Sequence, residues 1–435
     1  MNTKETILAM AEQLQPEMTE QRRDFHKHAE TGWFEMRTSS IIARKLTDMG
    51  YEVLVGEDVC LKDARMGVPA MEKLEKHYLW AAENGADPAF LPATRGGMTG
   101  VIGILRCGEG PTVAMRFDID ALGVVESEDE DHRPAKEGFR SVNHGMMHAC
   151  GHDGHAATGL GVAKVLMAIR ENLHGTVKLI FQPAEEGVRG AKSIVEKGHL
   201  DNVDYFIGSH ISDNAKDAGI HMYPGCYGSL ATSKFDVTFR GLAAHAGGSP
   251  DLGKNAMLAA CTAVLNLNAI PRHRGGITRI NVGTLHAGSG RNVIPDEAVM
   301  EIELRGETTE LNNYMCHKAR LILESAAAMY ECTCEIKLMG AADSLTSDEA
   351  LCKTIKESAQ SVGLTVSEAL MMRSGGSEDV SYMMNRVQEQ GGQASYMRTM
   401  SWVKGGAHNR RDDFGEEARA SGVKMFCGIV ADLMK

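Results

Sequence analysis

Hydrophobic and polar positions in the first half of the chain alternate between helical and strand spacing. Ile41, Leu46 and Met49 lie on one face of a predicted helix that ends near position 50. Short β-rich runs follow: YEVLV from Tyr51, GVIGILRC from Gly100, PTVAMRFDID from Pro111, TVKLIFQPAEEG from Thr176 and VDYFIGSHI from Val203. Helical spacing over residues 156–173 and 191–198 separates the later strands. Strands that alternate with helices predict an α/β fold with a mostly parallel, helix-covered sheet.

Two polar segments interrupt this pattern. Residues 56–99 are polar and punctuated by glycine and proline, with a predicted helix over residues 71–83. Residues 126–131 form an acidic loop ahead of the stretch MMHACGHDGHAATG, which begins at Met146. The sequence assigns no role to the 56–99 insertion.

The order of predicted helices and strands changes at about Tyr223. The order is SKFDVTFRG, a helix over 255–267, TRINVGTLHAG, EAVMEIELRG, a helix over 310–330 and a strand over 332–338. This succession is typical of a small split βαβ, or ferredoxin-like, sandwich. We therefore expect a catalytic domain over residues 1–222 and 339–435, with a small α/β domain over residues 223–338 inserted into it.

The composition is that of an ordinary globular protein and narrows the choice of partners. Of 435 residues, 43% are hydrophobic and 24% are charged, and the net charge of −12 includes no basic patch. Nucleic acid and membrane are therefore not expected as partners. Residues 1–18 lack a signal-peptide core, and the most apolar stretch, 257–270, is too short to span a bilayer. Ten scattered cysteines without C-x-x-C pairs indicate reduced thiols and a cytoplasmic location.

Side chains that carry chemistry follow the ends of several predicted strands. They are Asp118 and Asp120, Glu185 and Glu186, His210, and, where a loop enters a helix, Cys150 and His152. In open α/β sheets, functional sites form in the crevice outside the carboxyl ends of the strands. Segments that are far apart in the sequence are therefore expected to converge on one point.

Two pairs within this set indicate a metal centre. The thiolate and imidazole of Cys150 and His152 suit zinc and similar transition metals, whereas magnesium and calcium prefer oxygen ligands. Glu185 and Glu186 are adjacent, so one carboxylate can bind metal while the other serves as general base. In an alternative, Cys150 is the nucleophile of a cysteine amidase. That alternative leaves both glutamates and His210 without a role.

The other polar side chains near these pairs have simpler explanations. Asp153 is placed to cap the helix that follows it, and His155 has either a surface or packing role or a role as metal ligand. Asp118 and Asp120 are strand-end carboxylates or hydrogen-bond partners of the metal-binding imidazoles. His148 is the least favoured ligand.

Motifs along nearly the whole chain resemble those of a known family. In order they are MHACGHDGH, FQPAEEG, GSHI, FRGLAAHAG, AGSGRNVIP, GSEDVSYM and AHN. They resemble the metal-dependent amidohydrolases, which include hippurate hydrolase, the plant auxin-conjugate amidohydrolases and, more distantly, glutamate carboxypeptidase. Within this family, the 56–99 insertion, RRDFHKHAETGW and DEDHRP are most similar to the branch that hydrolyses p-aminobenzoyl-glutamate.

The resemblance implies roles for particular residues. It implies a centre of two divalent ions, manganese or zinc, with Glu185 as general base. The implied metal ligands are Cys150, His152, Glu186, His210 and His408. The inserted domain would be a lid and dimerisation module, from which His245 reaches the active site of the partner. Asn292 and Arg305 match positions that hold substrate, and an arginine suits a carboxylate.

The resemblance also implies a reaction and an assembly. The implied reaction is hydrolysis of an N-acyl or N-aroyl amino acid, with p-aminobenzoyl-glutamate as the preferred substrate. The implied assembly is a homodimer or a heterodimer with a homologous chain, and a non-catalytic, metal-stabilised subunit remains an alternative. The sequence departs from the family after His408, where AHNRRDDFGEE stands in place of an HNPxFDF-like run.

Overall fold

The structure, a computed structural model, describes residues 2–214 and 219–435. Contacts divide the chain into two units. The larger unit contains Met1–Tyr227, Thr346–Ser374 and Asp379–Lys435, and the smaller contains Gly228–Leu345 and Gly375–Glu378. The smaller unit is therefore inserted into the chain of the larger one.

Helices and strands are numbered here in chain order. Within the described residues the helices are α1 (Thr3–Gln13), α2 (Gln15–Lys27), α3 (Met36–Asp48), α4 (Met71–Glu83), α5 (Arg133–Lys136), α6 (His152–Ala168), α7 (Ala191–Glu196), α8 (Ala256–Asn268), α9 (Thr309–Met329), α10 (Glu349–Ser361), α11 (Val380–Glu389) and α12 (Ala418–Leu433). The strands are β1 (Glu52–Val55), β2 (Val101–Arg106), β3 (Thr112–Asp118), β4 (Thr176–Gln182), β5 (Tyr205–Asp213), β6 (Met222–Tyr223), β7 (Gly225–Ser229), β8 (Ala231–Arg240), β9 (Thr278–Ala287), β10 (Glu297–Gly306), β11 (Thr333–Ala342), β12 (Leu345–Thr346), β13 (Met371–Arg373), β14 (Gln393–Ser401), β15 (Val403–Lys404) and β16 (Asp413–Phe414).

A seven-stranded mixed sheet lies at the centre of the larger unit, in the order β1-β2-β4-β3-β5-β14-β6. The central strands β4, β3, β5 and β14 are mutually parallel. The outer strands β1, β2 and β6 pair antiparallel. The predicted α/β class is confirmed. The antiparallel edge strands were not predicted. An antiparallel pair needs no crossover helix between its strands, so the order of helices and strands in the sequence does not reveal it.

The central strands are buried along most of their length. Phe117 of β3 and Phe181 of β4 are at most 2% exposed and belong to the main hydrophobic core. Strands covered on both faces carry near-continuous apolar runs, which explains VAMRF and KLIF. Helix α6 packs against β3 and begins after Gly151, which has a left-handed φ of 79°. The helix therefore starts four residues earlier than the apolar spacing predicted.

The smaller unit has the predicted ferredoxin-like order. Its sheet runs β11-β8-β10-β9 with every neighbouring pair antiparallel. Helices α8 and α9 pack together and against this sheet. Burial alternates along β10, as expected for a sheet with one face covered. A separate hydrophobic core, including Phe239, Met300 and Leu323, fills the space between sheet and helices.

The 56–99 insertion belongs to the larger unit. Its helix α4 has the predicted bounds, Met71–Glu83, with Leu74 and Ala81 buried on one face. All ten cysteines of the chain are free thiols. Among residues 2–214 and 219–435, no helix combines the length and hydrophobicity that crossing a bilayer requires.

Candidate metal centre

Three neighbouring parallel strands bring the predicted donors to one edge of the larger unit's sheet. β3 ends at Asp118, β4 ends just before the turn that carries Glu185 and Glu186, and β5 contains His210. The carboxyl ends of parallel strands lie at the same edge, so these side chains converge. Helix α6 adds His152 at its first position.

The five predicted ligands lie together in the larger unit. The Cys150 Sγ is 3.4 Å from the His210 Nε2, and one donor atom each from Cys150, His152 and Glu186 lies within 4.8 Å of the others. The Glu186 Oε1 is 3.9 Å from the His152 Nε2 and 3.7 Å from the His408 Nε2. Thiol, imidazole and carboxylate donors at this spacing suit a transition-metal centre. Their role as ligands remains a prediction.

The orientation of His152 fits a metal ligand. Its Nδ1 lies 2.9 Å from the backbone carbonyl of Asp120, to which it donates. Its Nε2 is buried without a hydrogen-bond partner and lies 3.5 Å from Asp118 and 3.9 Å from Glu185. Burial alone would lower the pKa of His152, but the charge of Asp118 and the hydrogen bond with Asp120 raise it well above its usual range. A cation bound here would be stabilised by the negative charge of these carboxylates, and the His152 Nε2 could coordinate it.

Asp120 also holds the turn that carries the two glutamates. Its carboxylate accepts hydrogen bonds from the backbone N–H of Glu185 at 3.0 Å and of Glu186 at 2.9 Å. One aspartate therefore orients both the imidazole of His152 and the glutamate pair. The prediction that Asp118 and Asp120 support the imidazoles agrees with these contacts.

His155 belongs to a second group of clustered donors. One donor atom each from Asp118, His152, His155 and His210 lies within 4.8 Å of the others. The His155 Nδ1 is 2.5 Å from Asp118, and its Nε2 accepts the backbone N–H of Ile211 at 3.0 Å. Both ring nitrogens of His155 are therefore engaged with the protein. His155 is buried and not at the surface, and it links β3 to the strand that carries His210.

Cys150 is poorly suited to act as a nucleophile. Burial raises the pKa of its thiol to about 12, whereas nucleophilic cysteines have lowered values. The nearby His210 donates from Nδ1 to the backbone carbonyl of Ile211 at 2.6 Å, which leaves its Nε2 as an acceptor toward Cys150. The sulfur and nitrogen donors at this distance suit a shared transition-metal cation.

The loop that carries His408 docks beside Cys150. The backbone N–H of His408 donates to the carbonyl of Ala149 at 2.7 Å. His408 has a left-handed φ of 64°, unusual for a residue with a Cβ, and its side chain is 58% exposed. The altered sequence after His408 therefore still places its imidazole at the cluster.

Asp153 does not cap α6, so that expectation was wrong. The cap position is Gly151, and Asp153 lies within the first turn. Its carboxylate accepts from Arg22 and from His26, both at 2.8 Å. His148 is also buried, and neither of its ring nitrogens has a hydrogen-bond partner. Burial lowers the pKa of His148 to about 4, and it belongs to none of the donor groups found among the described residues.

Sequence reasoning missed the buried ionic network around Asp153. Arg22 contacts Asp413 at 3.0 Å, and His26 contacts Glu126 at 2.9 Å. A signal was available, because Arg22 and His26 are four residues apart and therefore share one face of α2. That face is buried and also includes Met18 and Phe25, whereas a pair of charged residues in a polar helix is usually read as exposed.

The smaller unit contains the three other predicted site residues. His245 lies in an exposed loop, where its Nδ1 accepts the backbone N–H groups of Gly247 and Gly248 at 3.1 and 3.0 Å. Its proton is therefore on Nε2, which can donate. Asn292 is exposed, and Arg305 donates to Glu303 at 3.0 Å. Their contact with substrate remains a prediction.

Comparison with known proteins finds a matching family and similar sequences. Residues 114–432 match the sequence model of peptidase family M20/M25/M40. The chain is 46% identical to the indole-3-acetyl-aspartic acid hydrolase of Enterobacter agglomerans, over 95% of this chain and 94% of the relative. It is 42% identical to one of the subunits of the p-aminobenzoyl-glutamate hydrolase of Escherichia coli K12, over 97% of this chain and 96% of the relative.

A solved structure resembles the whole chain. The crystal structure of the aminobenzoyl-glutamate utilization protein from Klebsiella pneumoniae superposes with a TM-score of 0.84 at 41% identity, covering 97% of each chain. The similarity therefore extends over both units and the 56–99 insertion.

Proposed function

The chain belongs to peptidase family M20/M25/M40, and on that premise we propose that it is a metal-dependent amidohydrolase of N-acyl and N-aroyl amino acids. The observation that carries the proposal is the meeting of Cys150, His152 and Glu186 beside Glu185. We propose p-aminobenzoyl-glutamate as the preferred substrate. The names of two relatives support this choice, since each denotes a hydrolase of an acidic amino acid joined to an aromatic acyl group.

We propose that two divalent ions, manganese or zinc, are bound at the cluster. The ligands would be Cys150, His152, Glu186, His210 and His408. These ions would act as Lewis acids toward the amide carbonyl and the attacking water. The open Nε2 of His152 and the mixed sulfur, nitrogen and oxygen donor set support this assignment.

Glu185 is proposed as the general base. Its Oε2 lies 3.9 Å from the His152 Nε2, so its carboxylate stands at the edge of the cluster. There it takes a proton from the attacking water and later delivers it to the nitrogen of the leaving amine. Asp120 holds the backbone of Glu185 in place during both transfers.

His245 is proposed to stabilise the oxyanion of the tetrahedral intermediate. Gly247 and Gly248 fix its tautomer, and the Nε2–H is then available as a donor in an exposed loop. In this proposal the smaller unit is a lid and dimerisation module, and His245 of one copy acts on substrate bound by a second copy. Asn292 and Arg305 would bind the substrate, with Arg305 exchanging Glu303 for a substrate carboxylate.

The assembly is proposed to be a homodimer or a heterodimer with a homologous chain. One relative is named as a single subunit of its hydrolase, which supports a heteromeric partner. A cytoplasmic location is proposed from the ten free thiols, which suit a reducing compartment.

Replacing the proposed base tests the function. In Glu185→Gln we expect metal content at the wild-type level and a loss of at least about two orders of magnitude in kcat, since the base is gone but the ligands remain. Hydrolysis of p-aminobenzoyl-glutamate and metal analysis of the same purified samples provide the measurement.

Glu186→Gln is the matched control for this substitution. It changes the adjacent carboxylate and is expected to lose metal as well as activity. Glu185→Gln with near-normal turnover would remove the base assignment. Full wild-type activity after metal removal, with sensitivity to thiol alkylation, would favour a cysteine amidase instead.

A further inference from the structure

Two side chains outside the 56–99 insertion, Glu35 and Arg189, each join it to the turn that carries Glu185 and Glu186. We propose that the insertion positions this turn through these two side chains, without itself contacting substrate. The proposal rests on the assignment of Glu185 as general base. In this proposal the 56–99 insertion, to which the sequence assigned no role, supports the conformation of the glutamate turn.

Glu35 forms the first contact. It is completely buried, and its Oε1 accepts the backbone N–H of Ala184 at 2.7 Å. Its Oε2 accepts the hydroxyl of Thr99, also at 2.7 Å. Thr99 is the last residue of the insertion, and Ala184 directly precedes Glu185. One carboxylate therefore joins the insertion to the first residue of the turn.

Arg189 forms the second contact, on the far side of the turn. Its Nε donates to the backbone carbonyl of Glu186 at 2.8 Å, and its Nη1 donates to that of Gly67 at 3.2 Å. Gly67 lies inside the insertion. A side chain at Gly32 would place its Cβ 2.3 Å from the Arg189 Nη2, so glycine there leaves room for the guanidinium.

The turn has a backbone that needs such support. Ala184 and Val188 have left-handed φ angles of 51° and 60°, which residues with a Cβ rarely adopt. Strained residues of this kind persist only where surrounding contacts over-determine them. Asp120 accepts the N–H groups of Glu185 and Glu186, Glu35 accepts the N–H of Ala184, and Arg189 donates to the carbonyl of Glu186.

The insertion is itself anchored firmly enough to serve as a support. The indole N–H of Trp33, a completely buried residue, donates to the carbonyl of Met66 at 2.8 Å. Arg65 donates to the carbonyls of Gly96 and Gly97, both at 2.9 Å. Met66, next to Gly67, is thus tied to the rest of the larger unit, and Arg65 ties this part of the insertion to its end near Thr99.

Thr99→Val and Arg189→Met test the proposal in the full-length, manganese-loaded protein. Thr99→Val removes the hydroxyl donor to Glu35, and Arg189→Met removes both bonds of the guanidinium while keeping an aliphatic stem. Thr94→Val is the control, because Thr94 is also fully buried in the insertion but donates only to Leu91 within it.

Hydrogen exchange of the peptide covering residues 183–191 reports on the turn independently of activity. We expect about fivefold faster exchange in Thr99→Val and Arg189→Met, in line with the loss of one or two hydrogen bonds. We expect kcat to fall at least about fivefold with KM near wild type, because the loosened turn displaces Glu185. Metal content is measured on the same samples, because the turn also carries the proposed ligand Glu186. Thr94→Val should match wild type in exchange and kcat.

Each possible result of these measurements either supports or contradicts the positioning role of the insertion. Wild-type exchange in both variants overturns the proposal, and so does an equal rise in Thr94→Val, which would mean that the insertion only adds stability. Faster exchange without loss of kcat overturns the positioning role. If Glu185→Gln keeps full activity while both variants exchange faster, the support of the turn stands and the base assignment fails.

Discussion

Three of the histidines at the donor cluster, His152, His210 and His155, differ in how they use their ring nitrogens. His152 and His210 each donate from Nδ1 to a backbone carbonyl, which leaves Nε2 directed at other donors. His155 instead uses both nitrogens, one toward Asp118 and one toward Ile211. The first two have the tautomer that a metal ligand needs, and His155 supports the strand that carries His210.

Removing His155 should weaken metal binding without removing a binding site. In His155→Phe the N–H of Ile211 loses its acceptor and Asp118 loses one of its hydrogen-bond donors, so His210 is held less firmly. We expect manganese affinity to fall by about 10- to 100-fold, as is usual when a hydrogen-bond partner behind a ligand is lost. Calorimetric titration of the metal-free protein with manganese gives both affinity and stoichiometry.

Stoichiometry separates a supporting role from direct ligation. Loss of one of two bound ions in His155→Phe would show that His155 is a metal ligand. A manganese affinity within twofold of wild type would show that His155 has no role at the metal centre. His148→Phe is a suitable control, since His148 lies in the same motif but belongs to none of the donor groups of the described residues.

Residue types were predicted better than residue partners. The motif around Cys150 and the glutamate pair identified the chemistry, because few structural roles need those side chains together. Asp153 was wrongly expected to cap α6, and the partners of His155 were not predicted. The contacts of both residues depend on Arg22, Asp118 or Ile211, which are distant in sequence and meet them only after folding.

At the scale of elements, helix α6 shows why glycine recurs in a buried helix. Gly159 faces the aromatic side chains of β3 and β4, where a Cβ would lie 2.7 Å from Phe181 and 2.8 Å from Phe117. Helical spacing in the sequence predicted the helix but not this close approach. Glycine lowers helix propensity, so its presence here reflects packing.

Gly159→Ala should therefore destabilise the protein although alanine favours helices. We expect a loss of about 1–3 kcal/mol in the free energy of unfolding, the usual cost of overpacking a rigid core. Urea unfolding followed by circular dichroism measures the change.

Gly161→Ala is the matched control in the same helix. Its nearest neighbour is the flexible thioether of Met18, which can move aside, and the next is the Val423 Cγ2 at 3.0 Å, farther than either phenylalanine ring is from a Cβ at Gly159. We expect a clearly smaller effect than in Gly159→Ala. Equal losses in the two variants would contradict the packing argument, because both substitutions change helix propensity alike.

At the scale of the molecule, a buried ionic network joins segments from both ends of the chain. Arg22 links Asp153 of α6 with Asp413, which is 391 positions away in sequence. His26 lies between Asp153 and Glu126. Burial alone would lower the pKa of His26, but these two carboxylates raise it to about 9.

This raised pKa predicts a decline of stability with rising pH. His26 keeps its proton to about pH 9 in the folded protein but only to about pH 6.5 when unfolded. Its contribution is therefore complete below pH 6.5 and is lost as pH rises through 9, on the order of 3 kcal/mol. Urea midpoints of the metal-free protein across this window measure the change.

His26→Gln isolates the contribution of this residue, since other groups also titrate above pH 7. Glu35, for example, has a pKa raised to about 8 by burial and by Asp120. The difference between wild type and His26→Gln should shrink steadily from pH 6.5 to 9. A difference that stays constant over that range would show that His26 is not charged in the folded protein.

The sequence by itself determined the features that depend on local periodicity and on short motifs. The α/β class, the ferredoxin-like order, the bounds of α4 and the identities of Cys150, His152 and Glu186 as candidate donors all came from short segments. Such features depend on neighbours within a few residues, so they are visible before folding.

Folding alone decided which distant groups became partners. The mixed edges of the sheet, the tautomers of the histidines, the support of the glutamate turn by Glu35 and Arg189, and the network through Arg22 arise from contacts between separated segments. Burial then makes each unpaired polar atom costly, so the three-dimensional packing, and not the local pattern, selects its partner.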